Sequence, residues 1–177
     1  VIERIQLHPR ETYITDIRSF VKIKCIAGGR IGDCEYIDGY VCTKNVATKR
    51  MAGFLPLRNA RIMTITFPLE YHRNENQLMS LEPIMAQEHE FIRILVARIM
   101  ALRPNVVFAE KSVSYLALRL FEKAGVLVFW SMKRSSIEAI SRCTQADIIS
   151  SIDRLALDPR LGRCTSLSVE TFEELHA

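Results

Sequence analysis

The sequence predicts an α/β fold: a mainly parallel sheet flanked by helices, preceded by an irregular first half that is β-rich. The main observation is an alternation that begins near residue 62. From there, short apolar runs of strand length alternate with longer segments of helical period. Such alternation requires crossover helices between parallel strands. The second observation is size, because 177 residues, 49% of them hydrophobic, can bury a continuous core without disulfides or metal ions.

The first half shows no sustained period. Residues 1–15 are predicted to be a lead-in segment, and residues 16–26 an extended stretch whose apolar positions alternate toward its end. A glycine turn at residues 27–29 and a second turn at Asp38-Gly39 then lead to a short strand, Tyr40–Cys42. The basic, aperiodic stretch that follows, through residue 59, predicts a long surface loop.

Four strands are predicted after this loop, each a short apolar run. The first, Ile62–Phe67, is closed by Pro68, which cannot donate a hydrogen bond to a strand ladder. The other three are Val106–Ala109, Val126–Trp130 and Ile148–Ile149.

Three helices are predicted to connect these strands. Pro83 suits the first turn of the first helix. Ser112 is the predicted N-cap of the second, and Gly125 ends it because glycine tolerates the left-handed conformation. Ser135 and Glu138 have the spacing of a capping box at the start of the third.

Basic residues are concentrated in the first third of the chain. Residues 1–61 contain 11 Lys or Arg against 6 Asp or Glu, whereas the whole chain has a formal net charge of only +4. A solvated surface explains the surplus, and a patch facing anionic lipid or an acidic partner is the alternative. The candidate contacts are Lys44, Lys49 and Arg50. So mild a charge predicts no nucleic-acid partner.

The five cysteines are odd in number, and no two have the C-x-x-C spacing that presents thiolates to zinc. Reduced thiols in an intracellular protein are the simpler interpretation. A zinc site built from Cys34, Cys42 and His72 is the alternative, and no metal site is predicted.

The carboxyl ends of the strands are where an α/β sheet would bind a ligand. Lys111 and Lys133 follow two of them, but the chain has neither G-x-G-x-x-G nor G-x-x-x-x-G-K-[ST]. Cys143 has no histidine near it in sequence to activate it, and we expect it to pack as a small hydrophobe. The residues therefore predict no catalytic or cofactor-binding group.

A series of short stretches, taken in order, resembles the apical domain of group II chaperonins. They are Ala27-Gly28-Gly29, Tyr36-Ile37-Asp38-Gly39-Tyr40-Val41, Lys44-Asn45-Val46-Ala47, Arg58-Asn59-Ala60-Arg61-Ile62, Phe67-Pro68-Leu69-Glu70, Gln87-Glu88, Asn105-Val106-Val107-Phe108 and Lys123-Ala124-Gly125-Val126. The resemblance implies the chaperonin apical fold, of the swivelling β/β/α type. The connection that builds a lid protrusion in chaperonins is shorter here.

Three longer runs are similar to the chaperonin-like domain of phosphatidylinositol-3-phosphate 5-kinases, the PIKfyve family. They are Asn76–Pro83, Arg142–Asp153 and Leu155–Cys164. The resemblance covers residues 16–164 and leaves residues 165–177 as a C-terminal extension. It implies a domain of a longer lipid kinase that makes phosphatidylinositol 3,5-bisphosphate and uses ATP and a divalent metal elsewhere in its chain. The expected location is cytoplasmic, at endosomal or vacuolar membranes.

The resemblance also implies a role for the domain itself: docking the kinase onto a scaffold protein and a companion phosphoinositide phosphatase. We therefore expect this chain to be no enzyme and to hold no cofactor. Chaperonin apical domains bind through helices that flank the sheet, here residues 83–103 and 112–124. The candidate interface residues near the first helix are Tyr71, His72, Arg73, Met79, Leu81, Ile84 and Met85. The alternatives are contact with anionic lipid and residual binding of unfolded polypeptides.

Overall fold

This computed structural model describes residues 21–25, 30–71 and 81–170, without the side chains of Ile31 and of residues 81–85. The chain forms two compact units. One comprises Val1–Val41 together with Thr171–Ala177, and the other comprises Cys42–Glu170. The domain limits predicted from the sequence, at residues 15/16 and 164/165, remain a prediction.

The first unit is irregular where it is described. A 3-10 turn spans Ile31–Asp33, and the Lys22 ammonium lies 5.1 Å from the ring centroid of Tyr40. The predicted bend at Asp38-Gly39 is confirmed, and the Gly39 amide donates to the carbonyl of Ile37 at 3.0 Å. The predicted turn at residues 27–29 and the lead-in segment lie outside the described residues.

The second unit is built on a five-stranded sheet. Its strands are β1 (Leu57–Ile65), β2 (Val106–Ala109), β3 (Leu127–Phe129), β4 (Ile148–Ile149) and β5 (Gly162–Leu167). The order β3-β2-β1-β4 is parallel throughout, and β5 pairs antiparallel with β1. Because β4 pairs with the end of β1 and β5 with its beginning, the two share one edge of β1. The predicted mainly parallel α/β sheet is confirmed.

Four α-helices accompany the strands of this unit in its described part: α1 (Lys49–Ala52), α2 (Leu81–Ala101), α3 (Tyr115–Lys123) and α4 (Arg134–Thr144). A 3-10 segment, Ile152–Leu157, precedes β5. The connections through α2 and α3 advance from β1 to β2 to β3, whereas α4 returns the chain to β4. With right-handed crossovers, α2 and α3 therefore cover one face of the sheet and α4 covers the other.

The core lies on both faces of the sheet. Strands β2 and β3 are buried along their whole length. Met63 and Ile65 of β1 are fully buried, as are Ile99 of α2, Phe121 of α3 and Ile137 of α4. The buried hydroxyl of Thr64 donates to the carbonyl of Asp147 at 2.9 Å, so this polar group is satisfied.

The basic segment predicted as a loop contains regular structure. Thr48 accepts a hydrogen bond from the amide of Met51, and the fully buried Met51 side chain anchors α1. Strand β1 begins at Leu57 rather than at Ile62, because the first half of β1 pairs with β5. The predicted strand Tyr40–Cys42 is absent: Val41 is exposed, and the sheet is built from later residues.

Two predicted helix starts are also wrong. Ser114, not Ser112, caps α3 by accepting from the amide of Ala117, because Leu69 and Val113 pair in a β-bridge that keeps residues 112–114 extended. The capping box at Ser135 does not form, because α4 begins two residues earlier than predicted, with Lys133 as its N-cap, and Lys133 makes no side-chain cap. The prediction for Gly125 is confirmed, since it ends α3 with φ of +72°.

Candidate partner-binding surface

Helix α2 has two unlike sides. Its inner residues recur at helical spacing and are buried: Ile92, Leu95, Val96 and Ile99. On the outer side, however, Phe91 is 36% and Ile94 is 47% exposed. Phe91 fits the apolar period of the helix in the sequence, which by itself does not distinguish it from its buried neighbours. The structure instead puts two large apolar side chains, three residues apart, in contact with solvent.

Tyr71 lies against this outer side. Its ring centroid is 5.7 Å from that of Phe91, with an angle of 69° between the ring planes, which is the edge-to-face geometry that aromatic pairs prefer. Tyr71 itself remains partly exposed. The residues Tyr71, Phe91 and Ile94 are called the α2 surface below.

Helix α3, on the same face of the sheet, exposes an aromatic residue at its first position. Tyr115 is 72% exposed, and the guanidinium carbon of Arg119 lies 5.9 Å from its ring centroid. This spacing, one helical turn apart, is within the range of a cation–π contact. Inward, Ala117 and Phe121 are buried. Both helices that the resemblance assigned to binding therefore expose aromatic side chains.

The structure describes part of the predicted interface. Tyr71 belongs to the α2 surface, whereas His72, Arg73 and Met79 lie outside the described residues. The backbone of Leu81, Ile84 and Met85 forms the first turns of α2, and their side chains are not described. By helical register, Ile84 shares a row with Phe91 and Ile94, whereas Leu81 and Met85 share a row with the buried Ile92 and Leu95.

The predicted basic contacts lie beside β3, at the edge of the sheet opposite to β4 and β5. Lys44, Lys49 and Arg50 are exposed, and the amide of Ala47 donates to the carbonyl of Val128 in β3 at 2.9 Å. Arg50 is 3.4 Å from a carboxylate oxygen of Glu122, which offsets its charge. Lys44 and Lys49 form no ion pair with any residue in the described ranges. Of the three predicted basic contacts, therefore, only the two lysines have no carboxylate partner among the described residues.

A three-residue ion cluster lies at the carboxyl ends of the strands, where an α/β sheet would bind a ligand. Arg134 donates to Glu138 at 2.9 Å and to Glu110 at 3.2 Å. The hydrogen bond to Glu138, followed by that to Glu110, raises the pKa of the Arg134 guanidinium above its ordinary value. Lys111 and Lys133, the other candidates at this edge, are exposed to solvent.

Two further predictions concern cysteine and metal. Cys143 is exposed, so the prediction that it packs as a small hydrophobe is wrong: the buried side of α4 is the one that carries Ile137 and Ile140. Within residues 21–25, 30–71 and 81–170, no group of three His, Cys, Asp or Glu side chains lies close enough to hold a metal ion. His72 lies outside these ranges, so the zinc alternative stays a hypothesis. No described helix has both the length and the apolar composition needed to cross a bilayer.

The chain is similar to lipid kinases along almost all of its length. It is 39% identical over 170 residues to the 1-phosphatidylinositol 3-phosphate 5-kinase of Saccharomyces cerevisiae, and the aligned region covers 96% of this chain and 7% of the kinase. It is 38% identical over 159 residues to the human 1-phosphatidylinositol 3-phosphate 5-kinase, and there the aligned region covers 89% of this chain and 8% of the kinase. The chain thus spans less than a tenth of the length of these relatives. The predicted resemblance to this kinase family is confirmed.

The structure is also similar to chaperonins. The open-state monomer of a group II chaperonin from Methanococcoides burtonii matches it with a TM-score of 0.71 and 25% identity, covering 89% of this chain and 34% of the chaperonin chain. The T-complex protein 1 subunit gamma of Thalassiosira weissflogii is 30% identical over 147 residues, covering 79% of this chain and 26% of the subunit. The sequence pattern of the TCP-1/cpn60 chaperonin family matches residues 1–177, and the chain belongs to this family.

Proposed function

We propose that the chain is a non-catalytic docking domain of a phosphatidylinositol-3-phosphate 5-kinase. The observation that carries this proposal is the α2 surface. Phe91 and Ile94 are large apolar residues exposed on a helix whose inner side already supplies the core. A contiguous exposed apolar patch with a polar rim is typical of a protein interaction site.

The α2 surface has the composition of a small binding site. An aromatic pair, Tyr71 and Phe91, provides a rigid anchor, and aromatic residues are enriched where binding energy is concentrated. Arg93 and Glu90 beside it are exposed and provide a charged rim. Because about a third of Phe91 and half of Ile94 are still exposed, complete burial by a partner would stabilise the complex by about 0.5–1.5 kcal/mol for each side chain.

The partners in this proposal are a scaffold protein and a phosphoinositide phosphatase of the kinase complex. The parent protein would synthesise phosphatidylinositol 3,5-bisphosphate with ATP and a divalent metal bound elsewhere in its chain. It would act in the cytoplasm at the surface of endosomes or the vacuole. The similarity to 5-kinases along 89–96% of this chain supports this assignment of the parent.

Affinity capture with a matched control tests the docking role. The 177-residue chain and its Phe91→Asp/Ile94→Asp variant are used as baits, and bound proteins are quantified by mass spectrometry. Phe54→Asp is the control, because Phe54 is 37% exposed and lies in the turn after α1, outside the α2 surface. We expect the unsubstituted chain and the Phe54→Asp control to retain a scaffold protein and a phosphoinositide phosphatase. The Phe91→Asp/Ile94→Asp variant should lose both. Equal retention by all three proteins would contradict the proposal.

The second candidate function is contact with anionic lipid through Lys44 and Lys49. The observation that favours it is their exposure without a carboxylate partner among the described residues. Binding to phosphatidylserine vesicles would then fall steeply as salt increases, because each lysine contributes about 1 kcal/mol near an anionic surface. Lys44→Gln/Lys49→Gln would remove this binding and leave protein capture unchanged.

A third candidate is residual binding of unfolded polypeptides, which the similarity to chaperonins supports. Suppression of aggregation of a denatured test protein, at equal stoichiometry, measures it. Loss of that suppression in the Phe91→Asp/Ile94→Asp variant would assign the α2 surface to unfolded chains rather than to folded partners.

A further inference from the structure

A groove of about 1030 Å³ lies at the β5 edge of the sheet, away from the α2 surface and from the lysines beside β3. It is lined by residues of β1 and β5, of the end of α2 and of the segment between Leu157 and β5. Its polar lining consists of four arginines and one aspartate together with neutral hydrogen-bonding groups: Arg61, Arg103, Arg160, Arg163 and Asp158.

Three of these arginines have no carboxylate partner among the described residues. Arg160 is paired outside the groove, with its guanidinium 3.7 Å from a carboxylate oxygen of Asp147. Arg61, Arg103 and Arg163 form no ion pair with any carboxylate in the described part of the chain. All three are exposed, so solvent and solutes reach them. The groove is therefore strongly cationic although the whole chain carries a net charge of only +4.

Two of the arginines are direct cross-strand neighbours. Arg61 of β1 and Arg163 of β5 are directly opposite each other in the antiparallel pair, so their side chains leave the same face of the sheet. Like charges at directly opposite positions destabilise a strand pair. An anion between the two guanidinium groups would remove that repulsion.

The third unpaired arginine, Arg103, lies just after the end of α2. A guanidinium nitrogen of Arg61 donates to the carbonyl of Leu102 at 2.8 Å, which fixes the Arg61 side chain and covers a carbonyl that would otherwise repel an anion. Arg103, the next residue, has a left-handed backbone with φ of +54°. Arginines from β1, from β5 and from the turn after α2 thus line one groove.

The neutral and acidic lining suits hydroxyl groups. Asn59, Asp158 and Thr165 also line the groove, and their side chains carry amide, carboxylate and hydroxyl oxygens. Of the five described non-glycine residues with positive φ, three line this groove: Asn59, Arg103 and Asp158. Backbone conformations of this kind cost free energy and cluster at ligand sites.

We propose that this groove binds a phosphorylated polyol, with the arginines on its phosphates and Asn59, Asp158 and Thr165 on its hydroxyls. Arginine is suited to this chemistry because its planar fork bonds two phosphate oxygens at once. The ligand is either the headgroup of a phosphoinositide in a membrane or a free inositol phosphate. The proposal is independent of docking through the α2 surface, since no residue is shared between the two sites.

Titration calorimetry of the 177-residue chain with inositol 1,4,5-trisphosphate tests the free ligand. Co-sedimentation with phosphatidylcholine vesicles containing phosphatidylinositol 3-phosphate tests the lipid, against vesicles in which phosphatidylserine supplies the same charge. The groove variant is Arg103→Asn/Arg163→Gln, in which asparagine tolerates the positive φ at residue 103. The control, Lys24→Gln/Lys123→Gln, removes the same charge at two exposed positions that belong neither to the groove nor to the lysines beside β3. Unchanged thermal melting of both variants shows that they are folded.

We expect the groove variant to weaken binding by about tenfold or more and the control by less than about twofold, because charge-assisted bidentate contacts are stronger than diffuse attraction. Arg103→Lys/Arg163→Lys keeps the charge and should still weaken binding. Binding in the calorimeter identifies a free inositol phosphate as sufficient, and binding only to the phosphoinositide vesicles identifies the lipid. No binding in either arm, equal losses in groove variant and control, or displacement by a polyglutamate peptide at equal concentration would overturn the proposal.

Discussion

Helices α2 and α4 cover opposite faces of the same sheet and differ on their outer sides. Each buries an isoleucine-rich stripe against the sheet, with Ile99 of α2 and Ile137 of α4 both at zero exposure. Outward, α4 shows Arg134, Ser135, Glu138 and Arg142. On α2, by contrast, Phe91 and Ile94 interrupt the polar outer side. An outer side such as that of α4 is sufficient for a stable amphipathic helix. The apolar residues on α2 are therefore not explained by the fold, and the proposed docking role would account for them.

The largest effect should be the same on both helices. Ile99→Ala and Ile137→Ala each remove a fully buried side chain and leave a cavity, so each should lower the free energy of unfolding by about 2–5 kcal/mol. Urea unfolding followed by circular dichroism measures both. A loss below about 1 kcal/mol in only one of them would show that the two inner stripes are not equivalent and would break the comparison.

An intermediate effect should arise where α4 meets β5. A Cβ atom at Gly162 would lie 2.7 Å from the Cβ of Thr144 and 2.9 Å from that of Ala146. Gly162→Ala should therefore destabilise the chain by about 1–3 kcal/mol through overpacking. Gly39→Ala is the control, because its Cβ would meet only the Ile37 side chain, at 3.9 Å. If both variants melted at the same temperature, the close approach of α4 to β5 would be refuted.

The smallest effect concerns the start of α4. Lys133 is its N-cap and makes no side-chain hydrogen bond, whereas Ser114 caps α3 by accepting from the amide of Ala117. Lys133→Ser should stabilise the chain by up to about 1 kcal/mol, and Ser114→Ala should destabilise it by a similar amount. Chemical denaturation of the two variants checks both signs. A destabilised Lys133→Ser protein would show that the lysine has a role other than capping.

The sequence predicted the parallel sheet because its signals are local. Strands β2, β3 and β4 are short apolar runs, and the helices between them have a clear period. Strand β5 was missed because Gly162–Leu167 is mostly polar and half exposed; it becomes a strand only by pairing with β1. The start of α3 was displaced for a similar reason, since the Leu69–Val113 bridge is a contact between distant parts of the chain.

The candidate sites were predicted less well than the fold. Tyr71 was predicted as an interface residue and lies at the α2 surface, whereas Phe91 was not predicted there, because it fits the apolar period of the helix as well as its buried neighbour Ile92 does. The arginine groove brings together residues 61, 103 and 163. These positions are 42 and 60 residues apart in the sequence, so no local pattern could assemble them.

The antiparallel pairing of β5 with β1 has one more consequence. Leu57, the first residue of β1, is the cross-strand partner of Leu167, the last residue of β5. Directly opposite residues in such a pair have Cα atoms about 5 Å apart. The segment from residue 57 to residue 167 therefore begins and ends at neighbouring positions in space. A segment whose two ends are this close can be inserted at a single peptide bond of a host protein without separating the host residues on either side.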